Sequence, residues 1–402
     1  MRRLSRALKR FAEVWYNSGM KHRYIAVLAV LSFLPLLPLA EAADLAFLRE
    51  LVEIPSSSVD YPQVNRAMDA MKAYLEKRGV ICTVETMDDG RKLLFAATKP
   101  GKEQDFILST HLDVVPAAFP EQYAVTEKDG KLMGRGVGDD KGACVAVAET
   151  LCALVGTDAS VGCIFGADEE TGGFTTTWMV VDRGYRPRKM VLVVDGPYRQ
   201  VSTAQKGQLM VNVAMRGRSG HSSRPWLCDD SITKLMRGYV KLRDEWDRRH
   251  PVPEDKWSDV LTPTVVKSEG EALNRIPALV ELNLNLRSVR PEAKDELIGL
   301  CKDLFAGAEI TVVRYSPPCT TDPEDPLVRR LAETMSRTFG GEVPFGRMLA
   351  ATDARCFVTC GVPTVILGTQ SGGAHGAEEW TTEQGLDMVV RYLTAFFRSE
   401  SK

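Results

Sequence analysis

The chain has few of the residues that usually build compact metal or disulfide sites. Only five of its 402 residues are histidine, and its nine cysteines are an odd number at irregular spacing, with no C-x-x-C pair. This pattern argues against a zinc ribbon and against a disulfide framework. Several cysteines lie in apolar runs and are best interpreted as small core residues. So many thiols without a pairing pattern are unusual in an oxidising compartment.

The chain also has little net charge. Its formal charge of -2 at pH 7 gives no basic surface for nucleic acid or for an anionic membrane, so neither partner is expected. The hydrophobic fraction of 44% and the charged fraction of 26% are those of an ordinary globular protein. A chain of 402 residues is long enough for two domains, each with its own core.

The N-terminal region lacks an apolar run of membrane-spanning length. The run from Ile25 to Ala40 has sixteen residues and is interrupted by Pro35 and Pro38, whereas a bilayer-spanning helix needs about 20. It follows a basic segment and ends in the small-residue pattern Ala40-Glu41-Ala42. Together these features predict a signal peptide or leader over residues 1–42.

Two points about this leader stay open. A start at Met20 would give a more typical signal peptide than a start at Met1, and the mature chain would begin near Ala43. An uncleaved leader would instead be an N-terminal membrane anchor. We therefore predict an exported protein, periplasmic or secreted, that meets a membrane only for export or anchoring.

Apolar periodicity divides the rest of the chain into two kinds of structure. Strands alternate with helices in residues 43–204 and again in 316–402, which indicates an α/β layer with a largely parallel sheet. Residues 205–315 follow the order β-α-β-β-α-β, which is the ferredoxin-like arrangement. The strictly alternating segment from Val280 to Arg287 is typical of a strand with one buried face. The predicted fold is therefore α/β with a smaller α+β domain inserted into the first.

Two adjacent glutamates follow a buried strand. The apolar segment from Val161 to Phe165 precedes Gly166-Ala167-Asp168-Glu169-Glu170-Thr171-Gly172-Gly173. Like charges this close raise each other's pKa, and a cation beside them would remove that cost. Successive side chains in extended backbone point opposite ways, so Glu170 can bind a metal while Glu169 faces a water, or the reverse. Taken alone, the pair is better interpreted as a solvated acidic loop, and the metal site depends on the rest of the chain.

Other imidazole and carboxylate groups lie at the ends of predicted elements. His111 and Asp113 are two residues apart at a strand edge, so the carboxylate can orient the ring. Asp139 precedes a helix and could equally cap it, and Asp195 ends a buried strand, where an unpaired carboxylate is costly. His375 lies in a glycine-rich loop. Such ligands, without thiolates, suit zinc or a similar divalent ion at a catalytic site.

Seven segments, in order along the chain, resemble motifs of the M20 metallopeptidases. They are S-T-H-L-D-V-V-P, G-R-G-V-G-D-D-K-G, D-E-E-T-G-G, V-V-D-G-P, G-R-S-G-H-S-S-R-P, N-R-I-P and A-H-G-A-E-E-W. That family includes acetylornithine deacetylase, succinyl-diaminopimelate desuccinylase, aminoacylase and carboxypeptidase G. The resemblance covers the chain from about Asp44 to the C-terminus. It implies a zinc-exopeptidase-like catalytic domain with an inserted lid and dimerisation domain.

The resemblance also implies a site for two divalent ions, with zinc expected and cobalt or manganese as alternatives. The implied ligands are Asp139 between the ions, His111 and Asp195 on one ion, and Glu170 and His375 on the other. Asp113 would orient the ring of His111. Two divalent ions agree with the chemistry of amide hydrolysis, because they activate water and polarise the scissile carbonyl.

Further roles follow from the same resemblance. Glu169 would be the general base, which takes a proton from the attacking water and passes it to the leaving amine. His221 would reach the site of a neighbouring subunit and stabilise the oxyanion, which implies a homodimer. Asn274 and Arg287 would hold the carboxylate of the substrate, a task that suits the bidentate geometry of arginine. Without the resemblance, Arg287 could equally be a surface strand residue.

The chain departs from the family pattern at two places. Cys228 stands where the family usually has glycine, so the resemblance does not define how the lid helix begins. Asp195 stands where deacylases and carboxypeptidases commonly carry glutamate, and in this it resembles the dipeptidase and tripeptidase members. The second departure favours a peptide substrate.

The predicted function is metal-dependent hydrolysis of a peptide or N-acyl-amino-acid amide bond. One alternative is an N-acyl-amino-acid deacylase of the acetylornithine or succinyl-diaminopimelate type, which an exported location disfavours. Another is a non-catalytic binding module on the same fold. Retention of every ligand and of Glu169 speaks against that module.

Overall fold

A computed structural model describes residues 42–270 and 272–401. The predicted leader, apart from Ala42, lies outside these residues. Among the helices of the described part, none combines the length and the apolar character needed to cross a membrane. All nine cysteines lie in the described part and are free thiols, as their spacing predicts.

The described residues form eight α-helices. Their bounds are α1 (Leu45–Val52), α2 (Tyr61–Glu76), α3 (Lys141–Leu154), α4 (Phe174–Val181), α5 (Ser231–Arg249), α6 (Ala293–Leu304), α7 (Pro326–Phe339) and α8 (Glu383–Ser399). Five of them begin at a side chain that accepts a backbone N–H group of the first turn, which stabilises the helix start. These capping residues are Asp44, Asp60, Asp230, Asp325 and Thr382.

The strands of the described part fall into four sheets. Their bounds are β1 (Ile81–Thr86), β2 (Lys92–Ala97), β3 (Glu103–His111), β4 (Thr126–Lys128), β5 (Lys131–Met133), β6 (Val161–Gly166), β7 (Arg186–Tyr198), β8 (Val201–Gln205), β9 (Gly207–Arg216), β10 (Gly220–His221), β11 (Val260–Ser268), β12 (Arg275–Ile276), β13 (Leu279–Ser288), β14 (Glu309–Ser316), β15 (Cys319–Thr320), β16 (Phe345–Met348), β17 (Thr364–Gly368), β18 (Ser371–Gly372) and β19 (Trp380–Thr381).

The largest sheet has the strand order β1-β2-β6-β3-β7-β17-β8-β15, with β16 also paired to β8. Its centre, β6-β3-β7-β17, is parallel, whereas β1 and β2 form an antiparallel pair joined by a short connection. The prediction of a largely parallel sheet is therefore confirmed for the centre, while the pairings towards the edges are antiparallel except for that of β16 with β8. Two consecutive strands with a short connection can only pair antiparallel.

Helices cover both faces of this sheet. On β3, Phe106 contacts the rings of Phe396 and Phe397 in α8, whereas Ile107 belongs to a buried cluster with Met179 of α4 and with Phe357. Adjacent residues of a strand point to opposite faces, so these contacts lie on the two sides of the sheet. Burial on both faces explains why the central strands are apolar almost throughout.

The carboxyl ends of the parallel strands carry most of the predicted site. His111 is the last residue of β3, the two glutamates follow β6, and the loop with His375 follows β17. Asp195 lies inside β7, which continues to Tyr198, so the prediction that this strand ends at Asp195 is wrong. The extension exists because β17 shifts register and pairs its Gly368 with Tyr198. Open α/β sheets bind ligands at this edge.

The inserted region forms its own four-stranded antiparallel sheet, with the order β11-β13-β9-β14. With α5 and α6, this is the predicted ferredoxin-like arrangement. The predicted alternation on β13 is confirmed, because Val280, Leu282, Leu284 and Leu286 are buried while their neighbours are only partly buried. The predicted limits of this domain, at residues 205 and 315, remain a prediction.

Candidate metal centre

Five predicted ligands lie in two adjacent groups. The ligand atoms of His111, Asp139 and Asp195 all lie within 4.8 Å of one another, and so do those of Asp139, Glu170 and His375. Asp139 belongs to both groups. The structure thus gathers side chains that are separated by more than half of the chain, at the carboxyl edge of the main sheet.

The carboxylate of Asp139 lies between two histidines. Its Oδ1 is 3.2 Å from Nε2 of His111, and its Oδ2 is 3.2 Å from Nε2 of His375. The same nitrogen of His375 is 3.0 Å from Oε2 of Glu170. Each oxygen of Asp139 therefore faces a different imidazole, which is the arrangement that a bridging carboxylate requires. The N-cap position of the helix that follows is Asp140, whose side chain makes no capping hydrogen bond, so the alternative role of Asp139 as the cap does not apply.

Asp113 holds both the histidine and the acidic turn. Nδ1 of His111 is 3.0 Å from the backbone oxygen of Asp113 and 3.4 Å from its carboxylate. The carboxylate accepts the backbone N–H groups of Glu169 and Glu170, at 3.1 and 3.3 Å, and the hydroxyl of Ser58 at 2.6 Å. The ring of His111 is thus oriented mainly by a carbonyl, while the Asp113 carboxylate fixes the backbone of the two glutamates.

Glu169 belongs to neither ligand group. Its Oε1 is 2.9 Å from Nη2 of Arg355, which also lies 3.3 Å from Oδ1 of Asp353. Burial raises the pKa of Glu169 to about 7, although the charge of Arg355 opposes the shift. A carboxyl group with a pKa near neutrality can both take and return a proton. This role of Arg355 could not be predicted from the sequence, because its contact with Glu169 spans 186 residues of chain.

Two buried polar atoms at the centre make no hydrogen bond and fit a cation. Among the described residues, Nε2 of His111 and Oε1 of Glu170 are buried without a hydrogen bond, and such atoms are costly to leave unsatisfied. Burial raises the pKa of Asp195 well above its usual value, and the neighbouring carboxylates of Asp139 and Asp140 raise it further. A cation would satisfy the free atoms and offset this repulsion. Imidazole and carboxylate donors suit a divalent transition metal.

Two predicted residues of the inserted domain make no contact with these groups in the described chain. His221, on β10, is exposed, and its Nδ1 accepts hydrogen bonds from the backbone and hydroxyl of Ser223. Asn274 is exposed beside β12, and its carbonyl accepts the N–H of Ser222. Their predicted role in the site of a neighbouring subunit stays a prediction.

Arg287 carries an unpaired charge. It lies on β13, partly buried, and within the described residues its side chain makes neither an ion pair nor a hydrogen bond. Burial lowers the pKa of Arg287, and the nearby charge of Arg355 lowers it further. A guanidinium group that is partly buried beside another one lacks the anion that would normally accompany it.

Comparison with known proteins decides the family. A sequence model described as peptidase family M20/M25/M40 matches residues 107–399. The chain belongs to this family. The predicted resemblance to M20 enzymes is thereby confirmed, together with the fold of a catalytic domain that carries an inserted dimerisation domain. As an M20 enzyme, the protein is a metal-dependent hydrolase.

Individual M20 proteins resemble the chain at low identity over most of its length. A probable succinyl-diaminopimelate desuccinylase of Staphylococcus epidermidis is 22% identical over 396 residues, which cover 87% of this chain and 95% of the relative. An acetylornithine deacetylase of Shigella sonnei is 28% identical over 294 residues, covering 68% of this chain and 74% of the relative. A tripeptidase structure from Staphylococcus aureus has a TM-score of 0.74 at 17% identity and covers 89% of this chain and 97% of its own.

Proposed function

We propose that this M20 enzyme hydrolyses the amide bond of a small peptide or N-acyl amino acid, using two divalent ions at the centre described above. The observation that carries this proposal is the pair of ligand groups that share Asp139, with Glu169 held beside them by a different partner. One carboxylate common to two groups of ligands suits two ions. A second carboxylate that binds neither ion is free for proton transfer.

The proposed ligands follow from the two groups. Asp139 would lie between the ions, His111 and Asp195 would hold one, and Glu170 and His375 would hold the other. We propose zinc, because the donors are imidazole and carboxylate, with cobalt or manganese as substitutes. When bound, such ions lower the pKa of water and polarise the scissile carbonyl.

The residues of the chain would supply the proton transfer. Arg355 fixes one oxygen of Glu169 and leaves the other free to accept a proton from the attacking water. Burial brings the pKa of Glu169 to about 7, so that the protonated carboxyl group can then protonate the leaving amine. The carboxylate of Asp113 keeps Glu169 in place by accepting the backbone N–H of Glu169.

We propose that Arg287 and Asn274 bind the carboxylate of the substrate. The unpaired guanidinium group of Arg287 supports this role, because an anionic ligand would neutralise it. Asn274 and His221 are exposed on the paired strands β10 and β12 and their flanks, where a neighbouring subunit can meet them.

The names of the similar proteins indicate two types of substrate. The two relatives in sequence are named for deacylation of amino acids, whereas the structural neighbour is named a tripeptidase. Asp195, which stands where deacylases and carboxypeptidases of the family commonly carry glutamate, favours a peptide substrate. We therefore propose a small peptide as substrate, with an N-acyl amino acid as the second candidate.

We propose that the enzyme is a homodimer, which forms through one apolar face of the inserted domain. The dimer face consists of Ile232, Met236 and Val240 on α5 with Val266 on β11, all exposed. The three residues of α5 are four apart and so lie on one side of the helix. Among the described strands, β11 lies at an edge of its sheet and pairs with β13 alone, and an exposed apolar edge is a site for pairing with another copy.

We also propose export, on the basis of the basic, apolar and small-residue pattern of residues 1–42. Cleavage would leave a mature chain that begins near Ala43, as N-terminal analysis of the protein purified from its native cells would show. A chain that retains the leader in a membrane fraction would support the anchor instead.

The general-base role predicts that Glu169→Gln lowers kcat by about 10²–10⁴-fold while the metal content stays that of the wild type. The assay uses zinc- or cobalt-loaded protein with a panel of dipeptides, tripeptides, N-acetyl and N-succinyl amino acids, and elemental analysis gives the metal content. Glu103→Gln, at the exposed start of β3, is the matched control.

His111→Ala separates metal binding from proton transfer, because it should lose metal as well as activity. Full metal occupancy in that variant would contradict the proposed ligand set. Unchanged turnover in Glu169→Gln would remove Glu169 from the mechanism. Failure of the loaded wild-type enzyme to hydrolyse any member of the panel would favour a binding module.

The proposed role of Arg287 predicts that Arg287→Met raises KM by roughly 10- to 100-fold for substrates with a free carboxylate, because a charged hydrogen bond contributes about 1.5–3 kcal/mol. The same peptides with an amidated C-terminus should bind weakly to the wild type and show no further loss in the variant. An equal effect of the variant on both substrate forms would exclude recognition of the carboxylate.

The dimer face predicts that Met236→Glu shifts the enzyme from dimer to monomer, because a charge in an apolar interface is costly. Sedimentation velocity measures the change. Val313→Glu, on the exposed β14 at the opposite edge of the same sheet, should leave the dimer intact. A wild-type protein that sediments as a monomer at all concentrations would refute the dimer.

A further inference from the structure

A buried ion pair, Arg135 with Glu379, contacts the loop that carries the proposed ligand Asp139. Oε1 of Glu379 accepts the backbone N–H groups of Gly136, Gly138 and Asp139, at 2.8, 3.0 and 3.1 Å. Its Oε2 pairs with Nη1 of Arg135. Both residues are 1% exposed, and the contacts span about 240 residues of chain. One carboxylate thus holds the backbone of the loop that carries Asp139.

The same pair also reaches the loop of His375. Nη2 of Arg135 donates to the backbone oxygen of Gly376 at 3.1 Å, and the side-chain amide of Gln122 donates to the same oxygen at 2.8 Å. His375 itself has a positive φ of 64°, a conformation that residues other than glycine rarely adopt. Contacts from the neighbouring backbone therefore help to keep this residue in place.

The loop that carries Asp139 and the segment that carries His375 are closely packed against each other. A Cβ atom on Gly138 would lie 3.0 Å from both the backbone oxygen of Trp380 and the side chain of Ser371. Only glycine fits there, so the backbone of the Asp139 loop lies directly on the C-terminal segment. A small displacement of either loop would move the ligand that it carries.

We propose that Glu379, paired with Arg135, is a positioning residue that sets the affinity of the centre for its ions. The inference rests on the proposed roles of Asp139 and His375 as ligands. Glu379 itself contacts no reacting group, and its charge is balanced by Arg135. It acts by holding Asp139 through the backbone N–H, and Gly376, next to His375, through Arg135.

The proposal predicts that Glu379→Gln weakens Co²⁺ binding by roughly 10- to 100-fold, which is the usual effect of removing an outer partner of a metal ligand. Glutamine keeps the size of the side chain, but its amide N–H₂ would face the guanidinium group of Arg135. The affinity is measured by competition with a chromophoric chelator, and the visible absorption of bound Co²⁺ reports the coordination geometry.

The adjacent Glu378 provides a matched control. It is exposed, and no hydrogen bond of its side chain occurs within the described residues. Glu378→Gln removes the same charge from the same loop, so it should bind Co²⁺ as the wild type does. A loss in Glu378→Gln equal to that in Glu379→Gln would overturn the proposal, because net charge alone would then explain both.

Thermal unfolding of the metal-free variants separates positioning from simple destabilisation. A lower Tm of Glu379→Gln with wild-type Co²⁺ affinity and spectrum would overturn the proposal. If Glu379→Gln does not fold, Arg135→Lys decides, because lysine keeps the charge but cannot reach both Glu379 and Gly376. Wild-type affinity in Arg135→Lys would then overturn it, and a weaker affinity would support it.

Asp139→Asn distinguishes this proposal from the proposed metal centre. Wild-type Co²⁺ binding in Asp139→Asn would refute the centre itself and the positioning role with it. Loss of binding in Asp139→Asn together with wild-type binding in Glu379→Gln would refute the positioning role alone.

Discussion

Repulsion among carboxylates at one edge of the main sheet is the constraint on which the site depends. Asp139, Glu170 and Asp195 come together there with two histidines, and burial would make their charges costly without a compensating cation. Arg355, Asp113 and the pair of Arg135 and Glu379 surround this cluster and hold its backbone and the side chain of Glu169. The architecture thus keeps negative charge concentrated where metal ions would balance it.

Much of this arrangement could be predicted from the sequence. Alternating strands and helices predict the parallel centre of the sheet, and elements at the carboxyl ends of its strands carry His111 and the two glutamates. The ordered motifs added Asp195 and His375, which no local pattern distinguishes from an ordinary strand or loop residue. The antiparallel edges and the extension of β7 depend on pairing between distant strands, and local periodicity does not contain that information.

The roles of the residues that support the site, Arg355 and Glu379, could not be predicted from the sequence. Arg355 follows the capping residue Thr352 by three positions and contacts Glu169 only in the folded chain. Glu379 stands beside Glu378 in the same motif, and only burial shows that the first is held by four partners while the second faces solvent. Long-range contacts between buried charges determine such roles, and the sequence of two adjacent glutamates does not show which of them makes these contacts.

The position of β17 affects how the enzyme can form during synthesis. This strand, Thr364–Gly368, lies between β7 and β8 near the middle of the main sheet. Strands made much earlier therefore cannot close around their final neighbour until the ribosome has translated that late segment. An incomplete nascent chain also lacks His375, so the proposed set of ligands is complete only after nearly the whole polypeptide has been synthesised.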